Sequence, residues 1–235
     1  MISVCVATYN SSRYIIEQIE SILSQIGETD EIIISDDGSK DDTIEKIKAV
    51  CDDRIKIFTN EGTHGYTPNF ENALKHAKGD YIFLSDHDDV WKENKVKVCM
   101  QYLREYDYVV SDAIVTNEHL EPIYPSYFQQ RIVYEGWLGN LYRFGYLGCL
   151  HAFRKEILKK ALPFPTNYRY CTHDNWLYMI GKTFYRVKII NEPLMYYRRH
   201  DGTASNGGNN DHKPLLFRIA YRSYLLFNLV KRCCK

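Results

Sequence analysis

The sequence predicts an α/β protein with a mostly parallel, Rossmann-like central sheet flanked by helices and a helical extension at the C-terminal end. Three observations carry that expectation. Over the first stretch of about 90 residues, short β-prone runs alternate with apolar residues at helical spacing, the signature of βαβ units. The opening runs are apolar at consecutive positions, as strands buried on both faces are. Polar residues gather where each run ends, at the rim where open α/β sheets bind ligands.

Taken in order, residues 2–7 are the first strand, and Thr8-Tyr9-Asn10-Ser11-Ser12 supplies a polar turn with capping residues. Ile15, Ile16, Ile19, Ile22, Leu23 and Ile26 then recur at helical spacing until Gly27. Residues 31–35 form a second strand, Asp36-Asp37-Gly38-Ser39 a turn, and Ile44, Ile47 and Val50 mark a second helix. Residues 54–59 give a third strand. The loop after it holds Gly62 and Gly65, and the next helix has Thr67 as its cap, Pro68 at its first position and Gly79 at its end.

The fourth strand, Tyr81-Ile82-Phe83-Leu84-Ser85, runs into Asp86-His87-Asp88-Asp89-Val90-Trp91. Three acids within four residues repel one another unless a cation is present, so this stretch is the metal-binding candidate. A helix over 92–105 and a strand over 108–111 follow. Eight aromatic residues then fall between Tyr124 and Tyr146; most such rings fill cores, and some stack on sugars. Gly145 and Gly148 flank a close backbone approach before a strand at 150–153, and Pro163 and Pro165 end a short helix. Tyr170-Cys171-Thr172-His173-Asp174-Asn175-Trp176 leads into another helix, with Asp174 in its first turn. Strands over 184–189 and 194–199 close on Arg198-Arg199-His200, and residues 202–211 read as a flexible loop.

From Pro214 onward Leu215, Leu216, Ile219, Leu226, Leu229 and Val230 share a helix with Lys213, Arg218, Arg222, Lys231 and Arg232. That mixture suits the interface of an anionic membrane, a docked terminal helix or a homodimer contact.

The 235 residues suit one large domain, or a domain with a small appendage. Thirty basic residues cancel thirty acidic ones, so no global field points to nucleic acid. Seven cysteines without CxxC or zinc spacing are expected as reduced thiols in a cytoplasmic protein. The N-terminus lacks a charged leader and cleavage site, and no apolar run approaches the roughly 20 residues that span a bilayer. The expected place is therefore the cytoplasm, with the terminal helix allowing peripheral contact at the inner face of the membrane.

Over about 200 residues, 2–205, the chain resembles the family 2 glycosyltransferases of GT-A fold. The resemblance rests on Ala7-Thr8-Tyr9-Asn10, Ser35-Asp36-Asp37-Gly38-Ser39 and Ser85-Asp86-His87-Asp88-Asp89-Val90-Trp91, in that order on a βα framework. It implies a GT-A domain at 1–212, with a nucleotide-sugar-binding half at 1–111 and an acceptor-binding half at 112–212, followed by the basic helix at 213–235. The implied reaction is inverting transfer of a hexose or deoxyhexose from a nucleotide-diphosphate sugar to a glycan acceptor, lipid-linked or protein-linked, in bacterial surface glycan synthesis. A divalent cation, Mn²⁺ or Mg²⁺, would offset the diphosphate charge, with Asp88 as its main ligand and His200 as a further one.

The resemblance further puts Asp37, Thr8, Tyr9 and Asn10 around the nucleoside, Asp86 at the ribose or the metal's water shell, and Asn69 on the donor. Arg198 and Arg199 are candidates to offset diphosphate charge. Asp174 is implied as the base that takes the acceptor proton, with Asp112 and Glu135 as fallback acids. Trp91, Gly148, His173 and Trp176 are assigned to the acceptor. The loop after the third strand lacks the Ala-Arg-Asn of many relatives, and the Gln-x-x-Arg-Trp of processive synthases is absent, so single additions are expected. A nucleotidyltransferase would show a Gly-rich basic loop after the first strand, where this chain has Thr8-Tyr9-Asn10-Ser11-Ser12. A non-catalytic sugar-binding module would not need Asp37, Asp88 and Asp174 together.

Overall fold

A computed structural model describes residues 1–131, 133–201 and 214–233. At its centre, β1 (Ile2–Thr8) is buried along its whole length, which is why its residues are nearly all apolar. It pairs in parallel with β2 (Glu31–Asp36) on one side and β4 (Tyr81–Asp86) on the other, and β3 (Ile55–Thr59) adds in parallel beyond β2. The register sets Thr8 opposite Asp36 and Ala7 opposite Asp86, so the polar ends of three strands form one continuous rim. Helices α1 (Ile15–Leu23), α2 (Thr43–Ala49) and α3 (Tyr66–His76) return the chain between these strands. In α1 the apolar period predicted from sequence is the buried face, Ile15, Ile19 and Ile22.

The sheet then changes character. β8 (His151–Arg154) runs antiparallel to β4, and β6 (Tyr108–Thr116) runs antiparallel to β8. β9 (Val187–Arg198) lies parallel to β6, and the two-residue β5 (Val90–Trp91) pairs antiparallel with β9. The order is β3-β2-β1-β4-β8-β6-β9-β5, with β7 (Pro122–Tyr124) pairing with β6.

This order fixes the shape of the sheet. Only residues 87–89 join β4 to β5, yet three strands lie between them. Four Cα steps reach at most about 14 Å, whereas four strand spacings across a flat sheet need about 19 Å. The sheet must therefore curl, and the acidic loop is the chord that closes the curl.

Several expectations are corrected. The third helix starts at Tyr66 with Gly65 as its cap, not at Thr67; the Thr67 hydroxyl instead accepts from the His173 backbone N–H at 3.2 Å. The strands expected at 184–189 and 194–199 are one strand, because Asn191 and Glu192 bulge between the Ser111–Ile190 and Asp112–Pro193 pairs. The strand expected at 108–111 continues to Thr116. The helix expected at 92–105 is α4 (Lys95–Tyr102), and β5, two residues long, is too short to leave a pattern. The aromatic stretch contains short helices α5 (Tyr127–Gln130) and α6 (Trp137–Tyr142).

The remaining helices are α7 (Ile157–Ala161), α8 (His173–Phe184) and α9 (Leu215–Cys233). The flexible loop expected at 202–211, Lys213 and Cys234 lie outside the described residues. Among the described residues no helix is long and apolar enough to cross a membrane, and the described cysteines are free.

Candidate active site

The rim at the ends of β1 and β2 is built by side chains that fasten one loop to the next. The Thr8 carbonyl accepts from Asp37 N at 3.0 Å and from Asn69 Nδ2 at 3.1 Å, while Asn69 Oδ1 accepts from the Ser35 hydroxyl at 2.6 Å. Asn69 is buried with both ends of its amide used, so it braces the rim from below. The Thr8 side chain is likewise buried, against the Ser11 hydroxyl. Asp36 turns back on its own turn, accepting from Gly38 N and Ser39 N.

Asp37 reaches the loop after β3. Its carboxylate accepts from Asn60 Nδ2 and from Gly65 N, each at 2.7 Å, and His64 Nδ1 lies 3.2 Å away. Gly65 has φ 123°, a backbone shape that glycine adopts readily, and that shape delivers its N–H to Asp37. Tyr9 is 49% exposed and Asn10 sits at φ 47° with its N–H on Ser39 Oγ at 2.9 Å. The open face of this rim is thus Tyr9 and Asn10, backed by Asp37.

The acidic chord lies next to it, and its three carboxylates have different states. For Asp86, burial first and then the Asp88 charge push the pKa up to about 6, and Asp174 adds to the effect. Burial would also raise Asp88, but the His200 hydrogen bond and the charges of His87 and His200 prevail and hold it below the usual carboxylate range. Asp89 has no exposed surface; burial, then Asp88 and Asp86, raise it well above the usual range. Its Oδ1 accepts from Arg198 N at 3.0 Å, while Oδ2 is buried without a partner.

The end of β9 closes over this chord. His200 Nε2 lies 2.9 Å from Asp88 Oδ2, and its ring packs 4.8 Å from Tyr14. Arg198, expected to face a diphosphate, is instead 4% exposed and spent on the protein. Its guanidinium donates to the Asp88 carbonyl at 2.7 Å, to the Glu118 carbonyl at 2.6 Å and to the Glu17 carboxylate. Arg198 therefore clamps the backbone of the chord, and so sets where Asp88 sits.

Two donor sets share this corner. Carboxylate oxygens of Asp86 and Asp89 and the Cys149 sulfur lie within 4.8 Å of one another. Asp89 and Cys149 are fully buried, and burial first keeps the Cys149 thiol protonated. A thiolate would favour a softer metal. Asp88, charged and joined to an imidazole on another element, with Asp86 beside it, fits a hard divalent cation better.

Asp174 stands in the first turn of α8 and is partly exposed. Its Oδ1 accepts from Asn175 N at 2.7 Å and from the Thr172 hydroxyl. His173 stacks on Phe70 at 4.2 Å, and a Cβ at Gly148 would come 2.2 Å from His173 Nε2, so Gly148 is the space this ring occupies. Of the acceptor candidates, Trp176 and Trp91 are core residues. Trp176 has no exposure and donates to the Ala161 carbonyl at 2.8 Å, and Trp91 is buried beside Phe83.

The fallback acids separate from the site. Asp112 is buried and accepts from Ala113 N, Phe128 N and the Ser126 hydroxyl, which makes it the anchor of α5. Glu135 is exposed and lends only its carbonyl, to the Tyr178 hydroxyl. Sequence reasoning missed Tyr66, exposed and edge-on to His173 at 5.8 Å. It missed Lys95 as well, a buried ammonium that donates to the Cys149 carbonyl at 2.8 Å beneath the acids. Burial lowers the Lys95 pKa, against the pull of Asp89 and Asp86. A lysine in the first turn of an ordinary helix gives no sign of such a place.

A sequence profile of the family described as Glycosyl transferase family 2 matches residues 3–178. The UDP-Glc:alpha-D-GlcNAc-diphosphoundecaprenol beta-1,3-glucosyltransferase WfaP of Escherichia coli is 30% identical over 220 residues, covering 87% of this chain and 80% of that protein. The crystal structure of S. aureus TarS in complex with UDP-GlcNAc superposes with TM-score 0.70 at 19% identity, over 98% of this chain and 72% of that one. The mannosyltransferase PcManGT of Pyrobaculum calidifontis, in complex with GDP-Man and Mn²⁺, gives TM-score 0.62 at 18% identity, over 99% and 73%. The chain spans 38% and 66% of the lengths of two further curated glycosyltransferases that it matches. The fold is GT-A, as the sequence motifs implied.

Proposed function

We propose that this chain, which belongs to glycosyl transferase family 2, is an inverting glycosyltransferase. It moves one hexose or deoxyhexose from a nucleoside-diphosphate sugar to a lipid-linked or protein-linked glycan in bacterial surface glycan synthesis. The observation that carries this reading is the meeting of Asp86, Asp88 and His200 at the sheet rim, with Asp174 near enough to act on Asp86. The UDP-GlcNAc, GDP-Man and Mn²⁺ in the neighbouring complexes, and the diphosphoundecaprenol acceptor in the WfaP name, support a donor, a metal and a lipid-linked acceptor of these classes.

Asp88, His200 and Asp86 would hold Mn²⁺ or Mg²⁺, which when bound neutralises charge developing on the diphosphate leaving group. Tyr9 and Asn10 face the nucleoside, and Asp37 sits behind them as its hydrogen-bond acceptor. The hydrogen bonds from Thr172 and Asn175 to Asp174 both fall on Oδ1, which leaves Oδ2 to take the proton of the acceptor hydroxyl. As that oxygen bonds to the anomeric carbon, the bond to the diphosphate breaks on the opposite side, which inverts the centre. His173 and Tyr66 border the acceptor approach. On this reading residues 1–111 are the donor half and 112–212 the acceptor half, and the reaction belongs to the cytoplasm at the inner face of the membrane.

The test is a set of nucleotide sugars screened by thermal shift with Mn²⁺. One donor should raise the melting temperature by mass action, and Asp88→Ala should abolish metal-dependent turnover of that donor. Metal-independent turnover, or full activity of Asp88→Ala, would sink the site assignment.

A further inference from the structure

Helix α9 is apolar on two sides, and only one of them is used. Its inner side packs on the domain through buried Leu225 and Leu229, and the Tyr221 hydroxyl meets the Asn175 amide on α8. Arg222 donates to the Leu141 and Tyr142 carbonyls at the end of α6, which fastens the two helices together. The outer side carries Leu216, Ile219, Phe227 and Val230 at helical spacing, with relative exposures of 80%, 50%, 58% and 64%. Large side chains at such exposure, aligned over a whole helix, mark a surface that meets an apolar phase.

Charge identifies that phase. The chain as a whole balances thirty basic against thirty acidic residues, yet residues 215–233 hold Arg218, Arg222, Lys231 and Arg232 and not one Asp or Glu. Lys231 stands at the stripe itself, its ammonium 4.2 Å from the Phe227 ring centre. Arg222 and Arg232 are turned to the domain, onto the Leu141 and Pro163 carbonyls, but a second copy docked through the same stripe on a two-fold axis would still set one acid-free basic helix against another. An anionic lipid surface offers both the apolar layer and the opposite charge.

We infer that the outer face of α9 seats the protein on an anionic membrane surface while the inner face stays docked. The helix neither spans the bilayer nor leaves the domain. Because Asn175 is held by Tyr221 of this helix, the neighbouring Asp174 is tied to the element that meets the lipid. The inference stands on the exposed face and its charge, and does not depend on the reaction assigned above.

The experiment is co-sedimentation of the whole chain with phosphatidylcholine vesicles, with and without phosphatidylglycerol, at low and high salt. Binding is expected only to the anionic vesicles and to weaken with salt. Lys231→Gln should weaken it about fivefold, the effect of one interfacial cation, and Ile219→Glu with Phe227→Glu should abolish it. These side chains are exposed, so the variants should melt with the wild type, and solution donor turnover provides an independent readout. Equal sedimentation of wild type and variants, or none by the wild type, would overturn the proposal. So would a dimer that the Glu substitutions turn into a monomer without changing vesicle binding.

Discussion

The block from β1 to β4 and the block from β6 to β9 place their functional groups by different means. In the first, four parallel strands end level, and the side chains at their ends arrive at the rim because the register brings Thr8, Asp36 and Asp86 together. In the second, parallel and antiparallel pairings are mixed, and each important side chain is held by an individual bond. Asp112 anchors α5, Thr67 receives the start of α8, and Arg198 grips the chord. Positions set by a lattice can be read from periodicity, whereas positions set by single contacts must be seen.

The largest expected effect tests whether chemistry in the second block rests on one acid. Asp174→Asn should lower transfer by about 10²–10⁴-fold, the usual contribution of a general base, with donor affinity retained. Asp112→Asn should instead leave the rate near wild type and lower the melting temperature. Loss of donor binding in Asp174→Asn, or the reverse pattern between the two variants, would break the contrast.

The next effect falls where the blocks join. Arg198→Met removes a buried guanidinium whose bonds to the Asp88 and Glu118 carbonyls are not replaceable by a thioether. It should cost about 3 kcal/mol by denaturant unfolding and should weaken metal-dependent donor binding, since the chord loses its clamp. Unaltered metal dependence would show that Asp88 is positioned by its own loop alone.

The smallest effect belongs to the lattice. Glu31 is buried in β2 and accepts from Ser3 Oγ at 2.6 Å, Lys78 N at 2.7 Å and Lys56 Nζ at 2.7 Å. Burial opposes its charge, but these hydrogen bonds and the Lys56 charge prevail and depress its pKa. A depressed carboxylate adds stability above its ordinary pKa and loses it as pH falls through the folded-state value. Glu31→Gln should therefore cost about 1 kcal/mol at neutral pH and flatten the acid side of the stability profile. An unchanged acid limb would assign that slope to other groups.

The same contrast explains what the sequence disclosed. The alternation of strands and helices up to β4 was legible because each element buries one face and repeats its period. The acids at the rim were legible because three charges after an apolar strand have few structural uses. The protein partners of Asn69 and Arg198 were not legible: polar residues near a donor loop look alike whether they face ligand or brace the backbone. Trp91 and Trp176 were placed at the acceptor, yet both pack inside the domain, since an indole near a motif carries no sign of which way it turns. β5 and the bulged β9 were hidden for another reason. Two residues make no period, and Asn191-Glu192-Pro193 has the composition of a turn while remaining within a strand.

The chord of residues 87–89 has a further consequence. A tether that closes a curved sheet has a length as well as a composition, and this one has little slack. Inserting a single glycine there would let β5, at the edge of the sheet, part from β4, even with every acid retained. Residues between β6 and β8, by contrast, carry excursions such as α5 and α6 that close nothing. An engineer seeking a new acceptor should therefore graft between β6 and β8 and leave the spacing of the acids alone, because that spacing is the gauge to which the pocket is cut.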